Sequence, residues 1–135
     1  MEPFIFEIKM KVRDYECDTQ GIVNNANYLH YMEHTRHEFL ESLGVSFLEL
    51  QQQKIDPMVS RIEIQYKSPL TGSDLFSSRL NVTRKGVKLI FSQSIYREKD
   101  SQLCTKAEVD VIVLQNGKLT RGDYFDELLS RRKHP

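Results

Sequence analysis

The sequence has no surplus of charge of either sign. Its 135 residues carry 19 Lys plus Arg against 19 Asp plus Glu. The basic excess that nucleic-acid or membrane-surface binding usually needs is therefore missing. It also lacks any apolar run near the roughly 18 residues of a membrane-crossing helix. No basic-then-apolar leader follows Met1. A cytoplasmic, soluble protein with no nucleic-acid and no membrane partner is the expectation. Cysteine is scarce: Cys17 and Cys104 are too few for a disulfide framework and show no metal-ligand spacing. Both are expected to be free thiols. Internal repeats, low-complexity segments and linkers are absent too, so residues 1–135 are read as a single domain with its own core.

What is present is periodicity. Phe4, Phe6, Ile8, Met10 and Val12 alternate with Ile5, Glu7, Lys9 and Lys11, the pattern of a half-buried strand. From about Tyr28 to Leu43 the period becomes helical, with Tyr28, Leu29, Met32, Phe39, Leu40 and Leu43 on one stripe and Gly44 as a stop. Ser46 to Gln53 predicts a short helical turn. Four more alternating runs follow, around Met58–Tyr66, Phe76–Val82, Val87–Ile95 and Leu103–Val113, separated by turn-like segments. Asn116-Gly117 is a two-residue hairpin signal that returns a short strand at Lys118 to Thr120. Asp123 to Arg132 predicts a charged terminal helix, with Arg131, Arg132 and Lys133 frayed. Short loops imply antiparallel pairing. The fold class is α+β, a curved antiparallel sheet wrapped around one long central helix. So small a layer leaves sheet edges open, and a partner chain is expected to cover one.

Between the first strand and the long helix lies Tyr15-Glu16-Cys17-Asp18-Thr19-Gln20-Gly21-Ile22-Val23-Asn24-Asn25-Ala26-Asn27-Tyr28. Asp18 precedes a helix start, where unpaired backbone N–H groups and the positive dipole end gather. A base or nucleophile and donors for a developing oxyanion thus fall in one segment. Gly21 permits a tight turn or a close approach to a ligand. The same residues also suit a plain capping and turn cluster, because Asp and Asn before a helix commonly serve as caps.

Asp18-x-x-Gly21-Ile22-Val23-Asn24-Asn25-x-Asn27-Tyr28-Leu29 resembles the hotdog-fold acyl-CoA thioesterases, in the 4-hydroxybenzoyl-CoA thioesterase branch. The resemblance extends through Arg36 and Leu43-Gly44, then Ile62-x-Ile64-x-Tyr66-x-x-Pro69-Leu70 and Gly72-Ser73-Asp74-x-Phe76. It implies a hotdog fold and hydrolysis of an acyl-CoA to free CoA and a carboxylic acid. Asp18 would act as nucleophile or general base, and the backbone N–H at Asn25 would polarise the thioester oxygen. It implies no cofactor beyond the CoA of the substrate, and a homodimer or homotetramer with the site near the dimer interface. The sequence departs from many relatives in carrying Glu16 where they have Asp, and from some in carrying Asn25 where they have His. Asn cannot exchange a proton near neutrality, so acid–base work falls to Asp18.

Gly21, Ile22, Val23, Asn27 and Tyr28 are candidate substrate contacts beside the catalytic pair. Lys67 and the hairpin cations Arg84 and Lys85 are candidates for the phosphates of CoA, against the alternative of a solvated turn. Tyr15, Tyr31 and Phe39 join Tyr28 as aromatics for an acyl pocket or for the core. His30, His34 and His37 share a helical face with Glu41 but form no metal motif, and no metal is expected. Cys17 is read as a bystander to Asp18. Two other functions stay open: a non-catalytic acyl-CoA or acyl-carrier binding module, and a dehydratase or hydratase, disfavoured because no His lies in the motif.

Overall fold

The computed structural model describes residues 4–132. Lys133 lies outside them. Strand β1 (Phe6–Lys11) leads through a 3-10 turn (Asp14–Glu16) to helix α1 (Asn25–Ser42) and the short α2 (Phe47–Gln52). Strands β2 (Ile55–Tyr66), β3 (Leu75–Lys85), β4 (Lys88–Arg97) and β5 (Leu103–Gln115) follow. The two-residue β6 (Lys118–Leu119) and helix α3 (Asp123–Ser130) complete the chain. The sheet runs β1-β3-β4-β5-β2, with β6 beside β5, and every pairing is antiparallel. It curls around α1, as the alternation predicts.

The inward side chains of the strands meet one face of α1. The Tyr31 and Phe76 ring centroids lie 4.7 Å apart, those of Phe6 and Phe39 5.5 Å and those of Phe39 and Phe91 6.3 Å. Phe6 is half-buried, whereas each of the fully buried Phe39, Phe76 and Phe91 contributes on the order of 1.5–3 kcal/mol. The helix starts three positions earlier than about Tyr28, because Asn24 caps it: its side-chain oxygen accepts the Ala26 N–H at 3.0 Å. The buried face also differs from the expected stripe. Leu29 and Leu40 are only half-buried, while Tyr31, Thr35 and Arg36 are buried. These polar groups enter the core because the sheet supplies partners. Thr35 Oγ1 shares a 2.6 Å hydrogen bond with Ser78 Oγ, and Arg36 donates to Gln93 at 2.9 Å.

Strand β2 departs most from a simple inward-and-outward strand. Met58, Val59, Ile62 and Tyr66 are 48, 44, 41 and 45% exposed. Among the described residues β2 pairs only with β5, and a bulge between Val59 and Arg61 turns the strand. The predicted hairpin at Asn116-Gly117 forms with both residues at positive φ, as its tight turn demands. The end of α3 is less frayed than expected. Arg131 bonds Glu127 at 2.8 Å and reaches the Leu43 carbonyl at 3.4 Å. No helix among the described residues is long and apolar enough to cross a membrane.

Candidate active site

The segment before α1 folds back on itself as a small hairpin. Asp18 N–H donates to Ile22 O at 2.9 Å, Cys17 bridges Val23, and Asn24 N–H donates to Glu16 O at 3.0 Å. Gly21 closes the turn with φ of +79°, a conformation costly for any residue with a Cβ, and its N–H donates to Asp18 O at 3.0 Å. The base of the hairpin is locked by Glu16. Its carboxylate is buried and accepts the Arg13 N–H at 2.7 Å, the Arg13 guanidinium at 3.0 Å and the Tyr31 hydroxyl at 2.8 Å. Its carbonyl also takes Asn27 Nδ2 at 2.8 Å. Glu16 thereby ties the loop to two turns of α1.

A second brace comes from the β2–β3 connection. Val23 N–H donates to Leu70 O at 2.9 Å, and Ile22 bridges Thr71. Thr71 is held by the buried Asp74, whose Oδ2 accepts both its N–H at 2.8 Å and its hydroxyl at 2.9 Å. Burial pushes the Asp74 carboxyl up, but these bonds and Lys99 outweigh it and hold the carboxyl below its ordinary range. The Tyr28 hydroxyl accepts the Leu70 N–H at 2.9 Å.

Against this framework Asp18 stands exposed. One oxygen accepts the Gln20 N–H at 2.8 Å, and the other has no partner among the described residues. The carboxylate is thus a turn former, as capping chemistry predicts, with one oxygen still free. The first turn of α1 has a matching vacancy. Asn24 satisfies the N–H groups of Ala26 and Asn27, whereas the N–H of Asn25 has no acceptor among the described residues. Tyr66 reaches over from β2, its hydroxyl donating to Asn25 O at 3.2 Å. One hairpin therefore carries a carboxylate with a free oxygen and leads directly into a helix start with an unspent donor.

The other candidates divide. Gly21 and half-buried Ile22 form the turn, and Lys67 is exposed one residue beyond Tyr66. Val23 and Tyr28 are 2% exposed and serve the core, and the Asn27 amide is spent on Glu16. Tyr31 and Phe39 are core as well, while Tyr15 is 76% exposed. Arg84 and Lys85 do not join this cluster within the chain. They sit at the far end of β3, about 30 Å along the strand from Leu75. Arg84 is moreover occupied, donating to Gly86 O at 2.9 Å, Asp126 at 2.6 Å and Arg121 O at 2.6 Å. Cys17 is half-buried, and burial followed by the Asp18 charge pushes its thiol up, which suppresses thiolate chemistry. His30, His34 and His37 are exposed, His34 beside Glu38 and His37 against the Phe47 ring. The residues missed in the sequence are Glu16 as a lock, Tyr66 as the contact to Asn25, and Thr71 as the brace. Only the Tyr66 and Asp74 spacing signalled this region.

A family profile described as the thioesterase-like superfamily matches residues 12–131. The chain is 32% identical over 111 residues to the acyl-acyl carrier protein thioesterase ATL3, chloroplastic, of Arabidopsis thaliana, a match covering 82% of this chain. It spans 58% of the length of that protein and 59% of ATL2 from the same plant. It is 31% identical to the long-chain acyl-CoA thioesterase FadM of Escherichia coli over 80% of this chain and 82% of that one. The crystal structure of YbaW, a probable thioesterase from Escherichia coli, superposes with a TM-score of 0.82 at 28% identity, covering 93% of this chain and 97% of that one.

Proposed function

The chain belongs to the thioesterase-like superfamily and has the hotdog fold, and we propose that it hydrolyses acyl-CoA thioesters to free CoA and a carboxylic acid. The observation that carries this is the free Asp18 oxygen on a rigid hairpin that leads directly into the unspent N–H of Asn25. The thioester carbonyl oxygen accepts the Asn25 N–H, where the positive end of α1 favours the negative charge that develops there. A donor so placed is worth about 2.7–4 kcal/mol of transition-state stabilisation. Asp18 either attacks the carbonyl carbon, expelling the thiolate and leaving an anhydride that water opens, or takes a proton from the water that attacks. Asn25 lacks a titrating side chain, so Asp18 carries the proton or the bond. Gly21 and Ile22 of the hairpin, with Lys67 just beyond the end of β2, are offered to substrate in this reading. No cofactor takes part.

We place the reaction in a homodimer or homotetramer in the cytoplasm. The support is β2, which presents Met58, Val59, Ile62 and Tyr66 on an edge strand next to the Asn25 contact. An apolar edge of this kind is normally covered by another chain.

The test is thiol release from short, aromatic and long acyl-CoAs, with an acyl-carrier thioester in parallel because ATL3 is named for that substrate. Asp18→Asn keeps an acceptor for the Gln20 N–H and so preserves the turn. Hydrolysis by wild type and its loss in Asp18→Asn support the proposal. Equal rates, or no turnover of any thioester, would refute it, and binding without turnover would point to a carrier module. Single turnover in labelled water separates the routes: label entering the Asp18 carboxylate marks the anhydride path.

A further inference from the structure

The turn after β4 grips a peptide on which the Asp18 hairpin is braced. Arg97 ends β4, and its side chain is 13% exposed. Its fork meets Asp100 with two prongs: Nε donates to Oδ1 at 3.0 Å and Nη2 to Oδ2 at 2.9 Å. The remaining nitrogen, Nη1, donates to the Pro69 carbonyl at 2.7 Å, and Nη2 also approaches Ser68 Oγ at 3.4 Å. A planar guanidinium held by two prongs on one side has its third nitrogen aimed in a fixed direction. The Arg97 bond in return holds the Asp100 carboxyl below its ordinary range, so the pair is charged at neutral pH.

The chemistry of Pro69 makes that carbonyl matter. The N–H groups of Lys67 and Ser68 both go to Cys104 O, at 2.8 and 3.1 Å, and Pro69 has no N–H to follow them. Its carbonyl is the only backbone hydrogen-bonding group it offers. That carbonyl and the Leu70 N–H belong to one planar peptide unit. Arg97 takes the oxygen, and the Tyr28 hydroxyl of α1 takes the hydrogen at 2.9 Å. The plane is clamped from two sides, and a cation on its oxygen strengthens its N–H as a donor. The next carbonyl along, Leu70 O, accepts the Val23 N–H of the hairpin at 2.9 Å. Any rotation of the clamped plane therefore displaces the acceptor on which Val23 rests. Lys99 of the same turn reaches Asp74 at 3.5 Å, but it is 67% exposed and screened by water, so the grip rests on Arg97.

We propose that Arg97 is a positioning residue for thioester hydrolysis: through the Pro69–Leu70 peptide it fixes the hairpin that presents Asp18. Its hydrogen bonds go to Asp100, Ser68 and Pro69, all outside the hairpin, so it acts at one remove from the reacting atoms. The inference rests on the role given to Asp18 above, but the hold itself is measurable without turnover.

The test compares Arg97→Lys with Asp100→Asn in the full chain. Arg97→Lys keeps the positive charge but has no planar fork to serve Asp100 and Pro69 together. Asp100→Asn keeps a side-chain acceptor and leaves the Arg97–Pro69 bond in place. The readouts are kcat and KM for an acyl-CoA that wild type hydrolyses, and amide hydrogen exchange of the protein alone. In Arg97→Lys, kcat is expected to fall about 10–10²-fold with KM unchanged. The Val23 N–H is expected to exchange about tenfold faster, while Phe91 and Val109 in the core strands exchange as in wild type. Asp100→Asn is expected to stay close to wild type in both readouts. Unchanged kcat or unchanged Val23 exchange in Arg97→Lys would overturn the proposal. So would exchange that rises equally at Phe91 and Val109, a raised KM with kcat intact, or an equal loss in Asp100→Asn. Faster Val23 exchange with no turnover of any thioester by wild type would refute the proposed reaction and uphold the hold on the hairpin.

Discussion

The hairpin before α1 and the corner where α3 meets the β3–β4 turn are both built from charged residues, yet they dispose of their charges in opposite ways. At the corner, Arg84 uses every arm of its fork: Gly86, Arg121 and Asp126 accept from it, and it packs over Gly122, whose φ of +89° admits no side chain beside the guanidinium. In the hairpin, Glu16 is consumed in the same manner, but Asp18, two residues on, keeps one oxygen without a partner. The corner spends charge to dock a helix. The hairpin spends one carboxylate to hold another in readiness.

The largest effect is expected from Asp18→Asn. It removes the carboxylate while preserving the turn, so kcat for thioester hydrolysis should fall about 10²–10⁴-fold with an unchanged melting temperature. A concurrent loss of stability would erase the contrast between the two carboxylates. Next comes Glu16→Ala, which orphans the Tyr31 hydroxyl and the Arg13 N–H. Urea unfolding should show a loss of about 2–3 kcal/mol, with activity reduced through a loosened hairpin.

Tyr31→Phe is a smaller change of about 1 kcal/mol at neutral pH, with a pH signature. Burial first, then the bond to Glu16, pushes the Tyr31 ionisation well above its ordinary value. The unfolded chain therefore gives up this proton first, and the contribution of Tyr31 to stability is full below about pH 10 and declines above it. Urea midpoints taken from about pH 9 to pH 11 should fall less steeply in Tyr31→Phe than in wild type. The smallest effect is expected from Arg84→Met, about 1 kcal/mol or less, with kcat and KM unchanged. A raised KM for CoA thioesters alone would instead place substrate phosphates on that tip.

The strands were legible because their alternation is undiluted: Phe76, Leu80, Leu89, Phe91, Val109 and Val113 follow one period and all end in the core. The Asn116-Gly117 turn was legible because its backbone demands those residues. Helix α1 was only partly so. Asn25, Ala26 and Asn27 carry no apolar signal, and Thr35 and Arg36 have the chemistry of a solvent face, so the face that meets the sheet was drawn too narrowly. Their burial depends on Ser78 and Gln93, which are 43 and 57 residues away in sequence. Asp18 was visible through its motif. The lock that holds it was not, because the Glu16–Tyr31 bond joins a loop to a helix 15 residues on and leaves no local trace.

The exposed edge of β2 has a thermodynamic consequence. If a second copy covers Met58, Val59, Ile62 and Tyr66, folding and association become one equilibrium, and the stability of each chain depends on how many others are present. Dilution then acts as a denaturant. It would act at Tyr66 as well, whose hydroxyl meets Asn25 at the start of α1, so activity per chain would fall together with the fold as the protein is diluted.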